Sequence, residues 1–133
     1  MWEESQRNTG ITIKSVGAEG VTTEQNFVGE AKGFGRLQGL DWRDVGTATN
    51  LRRPDGVGLA NAQGLMTTRD GEMVVWKAVG GGKVGGGKPR FAGVVTFATA
   101  SQKLSWMNGL VVFVEGESTP DFQETKVVGY EWK

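Results

Sequence analysis

Glycine falls inside the alternating segments of this chain as well as between them, and no stretch carries the repeat of a long amphipathic helix. It supplies 22 of 133 residues, roughly twice the ~7% of average usage. A glycine within a strand marks a bulge, a sharp bend or a bulky neighbour pressed on the backbone. A sheet with many such positions is bent, and a bent antiparallel sheet of this length tends to close on itself. The expectation is an all-β, closed, eight-stranded antiparallel up-and-down barrel, with an open two-sheet sandwich as the alternative.

The segments support that count. Ile11–Val16 alternates and turns at Gly17-Ala18-Glu19-Gly20. The second segment, about Thr23–Leu40, puts Gly29, Ala31, Gly33, Gly35, Leu37 and Gly39 on one face. Trp42–Arg52 ends at Arg53-Pro54-Asp55-Gly56, which has tight-turn chemistry. Val57–Thr68 leads into Arg69-Asp70-Gly71-Glu72, a hairpin signal before Met73–Val79. After a glycine-rich loop, Arg90–Ala100, Leu104–Glu117 and Gln123–Trp132 complete the set, the alternative being that Asn108-Gly109 is a hairpin turn that splits the seventh. One domain spans residues 1–133, and residues 1–9 read as a flexible N-terminal tail.

Composition narrows the chemistry. Fifteen basic and fifteen acidic residues cancel, so no global field draws nucleic acid or anionic lipid. The first ten residues lack the apolar core of a signal peptide, and no apolar run approaches ~18 residues. The expected location is cytoplasmic. With no histidine and no cysteine, a Ser-His-Asp triad, a thiol nucleophile and an ordinary zinc or redox-metal site are excluded. Neither a metal nor a cofactor is expected, and acid–base chemistry would fall to a carboxylate or lysine moved from its usual range.

Two motifs imitate nucleotide sites. Gly80-x-Gly82-x-x-Gly85 matches a dinucleotide fingerprint, and Gly82-x-x-x-x-Gly87-Lys88 matches most of a P-loop. Both need a helix whose N-terminus receives the phosphate. Pro89 replaces the hydroxyl residue that would hold magnesium, and Phe91-Ala92-Gly93-Val94-Val95 reads as strand. The segment is therefore predicted to be a hairpin loop. The candidate cavity residues are Trp76, Trp106, Asn108, Glu115, Tyr130 and Glu131. A carboxylate among aromatic rings at a barrel mouth gains an elevated pKa. Against that, strand-end glutamates commonly face water, and Trp76 could simply fill the glycine face of the second segment.

Gly64-Leu65-Met66-Thr67-Thr68-Arg69-Asp70-Gly71-Glu72, Phe91–Ala100, Leu104-Ser105-Trp106-Met107-Asn108-Gly109 and Gly129-Tyr130-Glu131-Trp132 form a succession of turns and core positions. Over about residues 56–133 this resembles small uncharacterised prokaryotic proteins, similar in architecture to the allene oxide cyclase and dirigent barrels, or to a lipocalin. The resemblance implies a closed, oligomeric barrel whose apolar cavity guides reactive intermediates. It carries no site residue over to this chain. Three functions compete: binding of a small apolar or aromatic ligand, the leading expectation; an isomerase or cyclase using a cavity carboxylate; and a non-catalytic scaffold with a filled barrel. A desolvated carboxylate in the pocket would favour the second, a dry apolar pocket the first.

The sixth and seventh segments are apolar on both faces, with Phe91, Val95 and Phe97 opposing Ala92, Val94 and Ala98. Such a wall favours a homo-oligomer, most simply a dimer, built on about residues 90–100 and 104–117. The alternative cover is the N-terminal segment or the Gly80–Pro89 loop.

Overall fold

The computed structural model describes residues 1–85 and 87–133. Eight strands follow one another: β1 (Trp2–Gly17), β2 (Gly20–Gly33), β3 (Asp41–Arg52), β4 (Val57–Thr68), β5 (Met73–Gly85), β6 (Lys88–Ala98), β7 (Val111–Ser118) and β8 (Glu124–Glu131). Each pairs antiparallel with the next, and β1 pairs with β8 from Trp2 opposite Gly129 to Arg7 opposite Glu124, closing the barrel. The sequence-predicted fold class is the observed one.

Four boundaries differ from the sequence reading. The second segment, expected to run to Leu40, ends as strand at Gly33, and the chain then makes a 3-10 turn over Gly35–Leu37. Residues 2–9 are not a tail: they form the first half of β1, hydrogen-bonded on one edge to β2 and on the other to β8, with Trp2 buried. A polar run can do this because only every second residue faces inward. The expected Gly80–Pro89 loop is largely paired strand, with Gly80 opposite Gly93 and Val84 opposite Pro89; Gly86 lies outside the described residues. The segment before β7 is a 3-10 turn, Ser105–Gly109, so the strand starts only at Val111.

The two ends of the barrel are unlike. The chain termini and two 3-10 turns, Gly35–Leu37 and Ser105–Gly109, gather at one end. There Leu37, Leu104, Met107 and Leu110 are buried in one cluster with Trp2, Trp42 and Phe97. Trp2 meets Trp42 and Phe97 edge-to-face, with ring centroids 5.8 and 5.9 Å apart. These rings and aliphatic side chains plug the end, as eight-stranded barrels require of interior side chains. The tight turns between β1 and β2, β3 and β4, and β7 and β8 lie at the other end, with no such plug among the described residues.

Glycine is spent where rings lie flat on the sheet. Gly46 and Gly64 are paired across β3 and β4, and a Cβ at Gly46 would stand 2.9 Å from the Trp76 ring. Trp76 thus lies on a bed made by β3 and β4, not on the glycine face of β2. Gly29, Ala31 and Gly33 of β2 do face inward and are buried, as the alternation requires.

Candidate functional site

The inward positions of β1 near the plugged end are Trp2, Glu4 and Gln6; those of β3 are Trp42 and Asp44. A carboxylate on the inner face of a small barrel is anomalous, because burying it unpaired is costly. Here the two meet across β2. Gly29 sits opposite both Gln6 and Asp44, and an added Cβ there would stand 3.2 Å from the Glu4 carboxyl carbon. Absence of a side chain at that point opens the space in which the carboxyls make contact.

Glu4 and Asp44 are each only 6% exposed. Asp44 is held by the Trp76 indole N–H, which reaches Oδ1 at 2.5 Å, and the Trp42 and Glu4 side chains lie close enough to its carboxyl to favour its charged form. Gln6 donates its amide N–H to Glu4 Oε2. Among the described residues, Glu4 Oε1 is a buried side-chain oxygen that receives no donor. An oxygen in that position is satisfied when it carries a proton and donates it to the neighbouring carboxylate. A proton shared by the pair is better placed on Glu4, which lacks a donor at Oε1, than on Asp44, which accepts from Trp76.

The electrostatics agree with that placement. Burial pushes the Glu4 carboxyl up to about 9, reinforced by the adjacent Asp44. Burial also raises Asp44, but hydrogen bonds from Glu4, Trp76 and Trp42 pull against it, so Asp44 ionises first. The two titrate as one unit that shares a proton.

Beyond the pair toward the unplugged end, the interior opens into a cavity of about 520 Å³. Its wall is made by rings such as Trp76 and Phe27 and by small residues, among them Ala48, Ala62, Ala78 and Gly93. The ring of Trp76 leans on Phe27, centroids 6.0 Å apart. A bulge between Asn8 and Gly10 switches the inward face of β1, so that Ile11 also lines the cavity. At the mouth the Arg52 guanidinium lies 4.6 Å from the ring of Phe122, which belongs to the β7–β8 turn.

Of the six residues singled out from sequence, only Trp76 lines this cavity. Glu115 and Tyr130 point outward from β7 and β8 and are exposed. Asn108 is exposed in the second 3-10 turn, where it accepts from Thr99 N at 2.8 Å and donates to Thr99 O at 3.2 Å. Trp106 and Glu131 come together outside the plug: Arg36 pairs with Glu131 at 2.6 Å and lies 4.2 Å from the Trp106 ring centre. Those two side chains tie the 3-10 turns to β8 instead of facing a ligand. Strand alternation decides Glu115 and Tyr130, since a one-residue change of phase moves a side chain to the opposite face, whereas Trp106 and Asn108 leave the sheet altogether in a 3-10 turn.

The outer surface is divided. Over β1, β2 and β3, opposite charges face each other in register, Glu3 with Lys32, Glu30 with Arg43, and Lys32 with Asp41. They border a depression of about 1050 Å³ that shares Glu4, Trp42 and Val127 with the interior cavity. Over β5 to β8 a row of Val79, Val94, Phe113 and Tyr130 runs side by side across four strands. Among the described residues no helix is long and apolar enough to cross a membrane.

The sequence matches no protein-family profile and no curated protein. Solved structures share the fold. A beta-barrel like protein from Acinetobacter baumannii superposes with a TM-score of 0.85 at 16% identity, over 100% of this chain and 93% of that one. A protein with unknown function from Clostridium acetobutylicum gives 0.84 at 16%, over 98% and 92%. An enzyme from Penicillium herquei gives 0.68 at 20%, over 97% and 90%. At such identities the likeness is one of fold.

Proposed function

We propose that the protein binds a small, mainly apolar molecule inside the barrel, with one polar group of that molecule against the Glu4–Asp44 pair. The observation that carries this reading is a cavity of about 520 Å³ that is lined by aromatic rings and small apolar residues, has the Glu4–Asp44 pair at one end, and has polar residues such as Asn50 and Arg52 elsewhere in its lining. Small-molecule sites typically enclose ~300–1,000 Å³ and are apolar apart from a few convergent polar groups. An empty interior of that size weighs against a filled scaffold. The architectural resemblance to allene oxide cyclase and dirigent barrels, whose cavities guide apolar molecules, points the same way, although fold alone carries no activity.

Tryptophan fluorescence tests it directly, because Trp2, Trp42 and Trp76 all border the cavity. Titration with flat aromatic probes is expected to quench the emission saturably. Ala78→Phe, which fills the cavity from β5, is expected to abolish that response while leaving the barrel folded. Equal quenching in the filled variant would place the probe elsewhere and overturn the reading.

We also infer a homodimer. The supporting observation is the row Val79, Val94, Phe113 and Tyr130, three of whose members are about half exposed. The wall is narrower than the sequence implied. Phe91, Val95, Phe97, Val112 and Val114 turn inward, while Glu115 and Glu117 interrupt the outer face of β7. Neither alternative cover occupies it, since the N-terminal residues are built into β1 and residues 80–85 into β5.

A further inference from the structure

The interior of this barrel holds an acid beside a base at the end of an apolar cavity. Asp44 accepts from the Trp76 indole and gives up its proton before Glu4, whose Oε1 receives no donor among the described residues. Both side chains border the cavity. The chain has no histidine and no cysteine, and Glu4 and Asp44 are the two carboxyl groups that border the cavity among the described residues. A carboxylate removed from water is a stronger base than the same group in solution, and a neighbouring neutral carboxyl supplies the complementary acid.

We propose that Glu4 and Asp44 form a catalytic acid–base pair that moves a proton within a small, neutral, apolar carbon acid. Its substrate class is a molecule whose C–H is acidified by an adjacent carbonyl or electron-poor ring. The proposal rests on the cavity being a binding site. In the step, the Asp44 carboxylate takes the proton from carbon, and the C–H electron pair becomes part of the conjugated π system. The Glu4 proton goes to the oxygen, or to the carbon, at the far end of that system. Asp44 then holds a proton and Glu4 a charge, and the hydrogen bond between them returns the proton to Glu4. Nothing is oxidised or reduced, and the net change is an isomerisation.

The probe is 5-nitrobenzisoxazole, a flat neutral aromatic. Removal of its ring C–H proton breaks the N–O bond and releases a coloured cyanonitrophenolate. Full-length protein is expected to turn the probe over saturably, about 100-fold faster than the same concentration of acetate. Asp44→Asn, whose amide oxygen still accepts from Trp76, is expected to return the rate to that background while the probe still quenches tryptophan. Ala78→Phe, with the pair intact, is expected to lose both binding and turnover. Binding without turnover in the native chain would overturn the catalytic proposal and leave the ligand-binding reading standing. Absence of binding would overturn both. Turnover that survives Asp44→Asn in a folded protein would remove Asp44 from the chemistry.

Discussion

Trp76 donates its indole N–H to Asp44 across an intervening strand, from β5 to β3 at 2.5 Å. The contact exists because β4 offers Gly64 directly opposite Trp76, so the ring can pass over it. One side chain thus serves as cavity wall and as counter-dipole for a buried charge. Trp76→Phe keeps an aromatic ring but deletes the donor. Leaving a buried acceptor unsatisfied costs about 1–3 kcal/mol. The loss is expected in urea unfolding, and it should be larger at pH 8 than at pH 5, where protonation of Asp44 is favoured.

The carboxyl pair contributes a pH dependence to stability above the usual carboxylate range. Glu4 keeps its proton to about 9 in the folded chain, whereas its ordinary value is 4.5. Between those values the folded state binds more protons than the unfolded state, so stability falls as pH rises. Below about 4.5 both states are protonated and the contribution is fully present. Glu4→Gln retains a donor toward Asp44 and removes the titration. Its Tm is expected to exceed that of the parent by a margin that grows from pH 5 to pH 8.5. An unchanged margin across that range would show that Glu4 is charged in the fold.

Gly64 is expected to be intolerant of any side chain. A Cβ there would stand 2.5 Å from the Val45 carbonyl oxygen and 2.6 Å from Cε2 of Trp76. The backbone oxygen cannot yield, so the ring must. Gly64→Ala is expected to destabilise by about 1–3 kcal/mol, as overpacking does, and to shift the tryptophan emission of the folded state. Gly71, in the β4–β5 turn, has φ of 90° with open space around its Cα. Alanine there should cost through backbone strain and leave that emission untouched.

Light scattering on a sizing column at low micromolar concentration tests the dimer. A mass twice the 14.3 kDa of one chain is expected. Phe113→Lys, on the exposed apolar row, should return it to one chain without loss of fold. A clean monomer from the parent sequence would end that inference.

The fold was legible because its signals are local. Strand β4 matches the sequence expectation at both ends, and the turns at Pro54–Gly56 and Asp70–Gly71 carry their own chemistry. The site was less legible because it joins β1 to β3 through a gap in β2. Trp2-Glu3-Glu4-Ser5-Gln6 looks like solvated chain, and its inward set, Trp2, Glu4 and Gln6, is mostly polar. A signal was available in Trp42-Arg43-Asp44, where alternation puts an aspartate on the face of a tryptophan. Glu115 follows the most hydrophobic run of the chain and Glu131 sits between Tyr130 and Trp132, but closeness along a strand does not place a side chain inside, because adjacent residues point to opposite faces.

The alanine and glycine lining has a consequence for how such a barrel changes over time. The two buried carboxyls lie at one end, and beyond them the wall includes small side chains at Ala48, Ala60, Ala62 and Ala78. Each is a place where one substitution shortens or reshapes the hollow without touching Glu4 or Asp44. The interior behaves as an adjustable gauge: ligand length can drift quickly among descendants while the proton-bearing end stays the same.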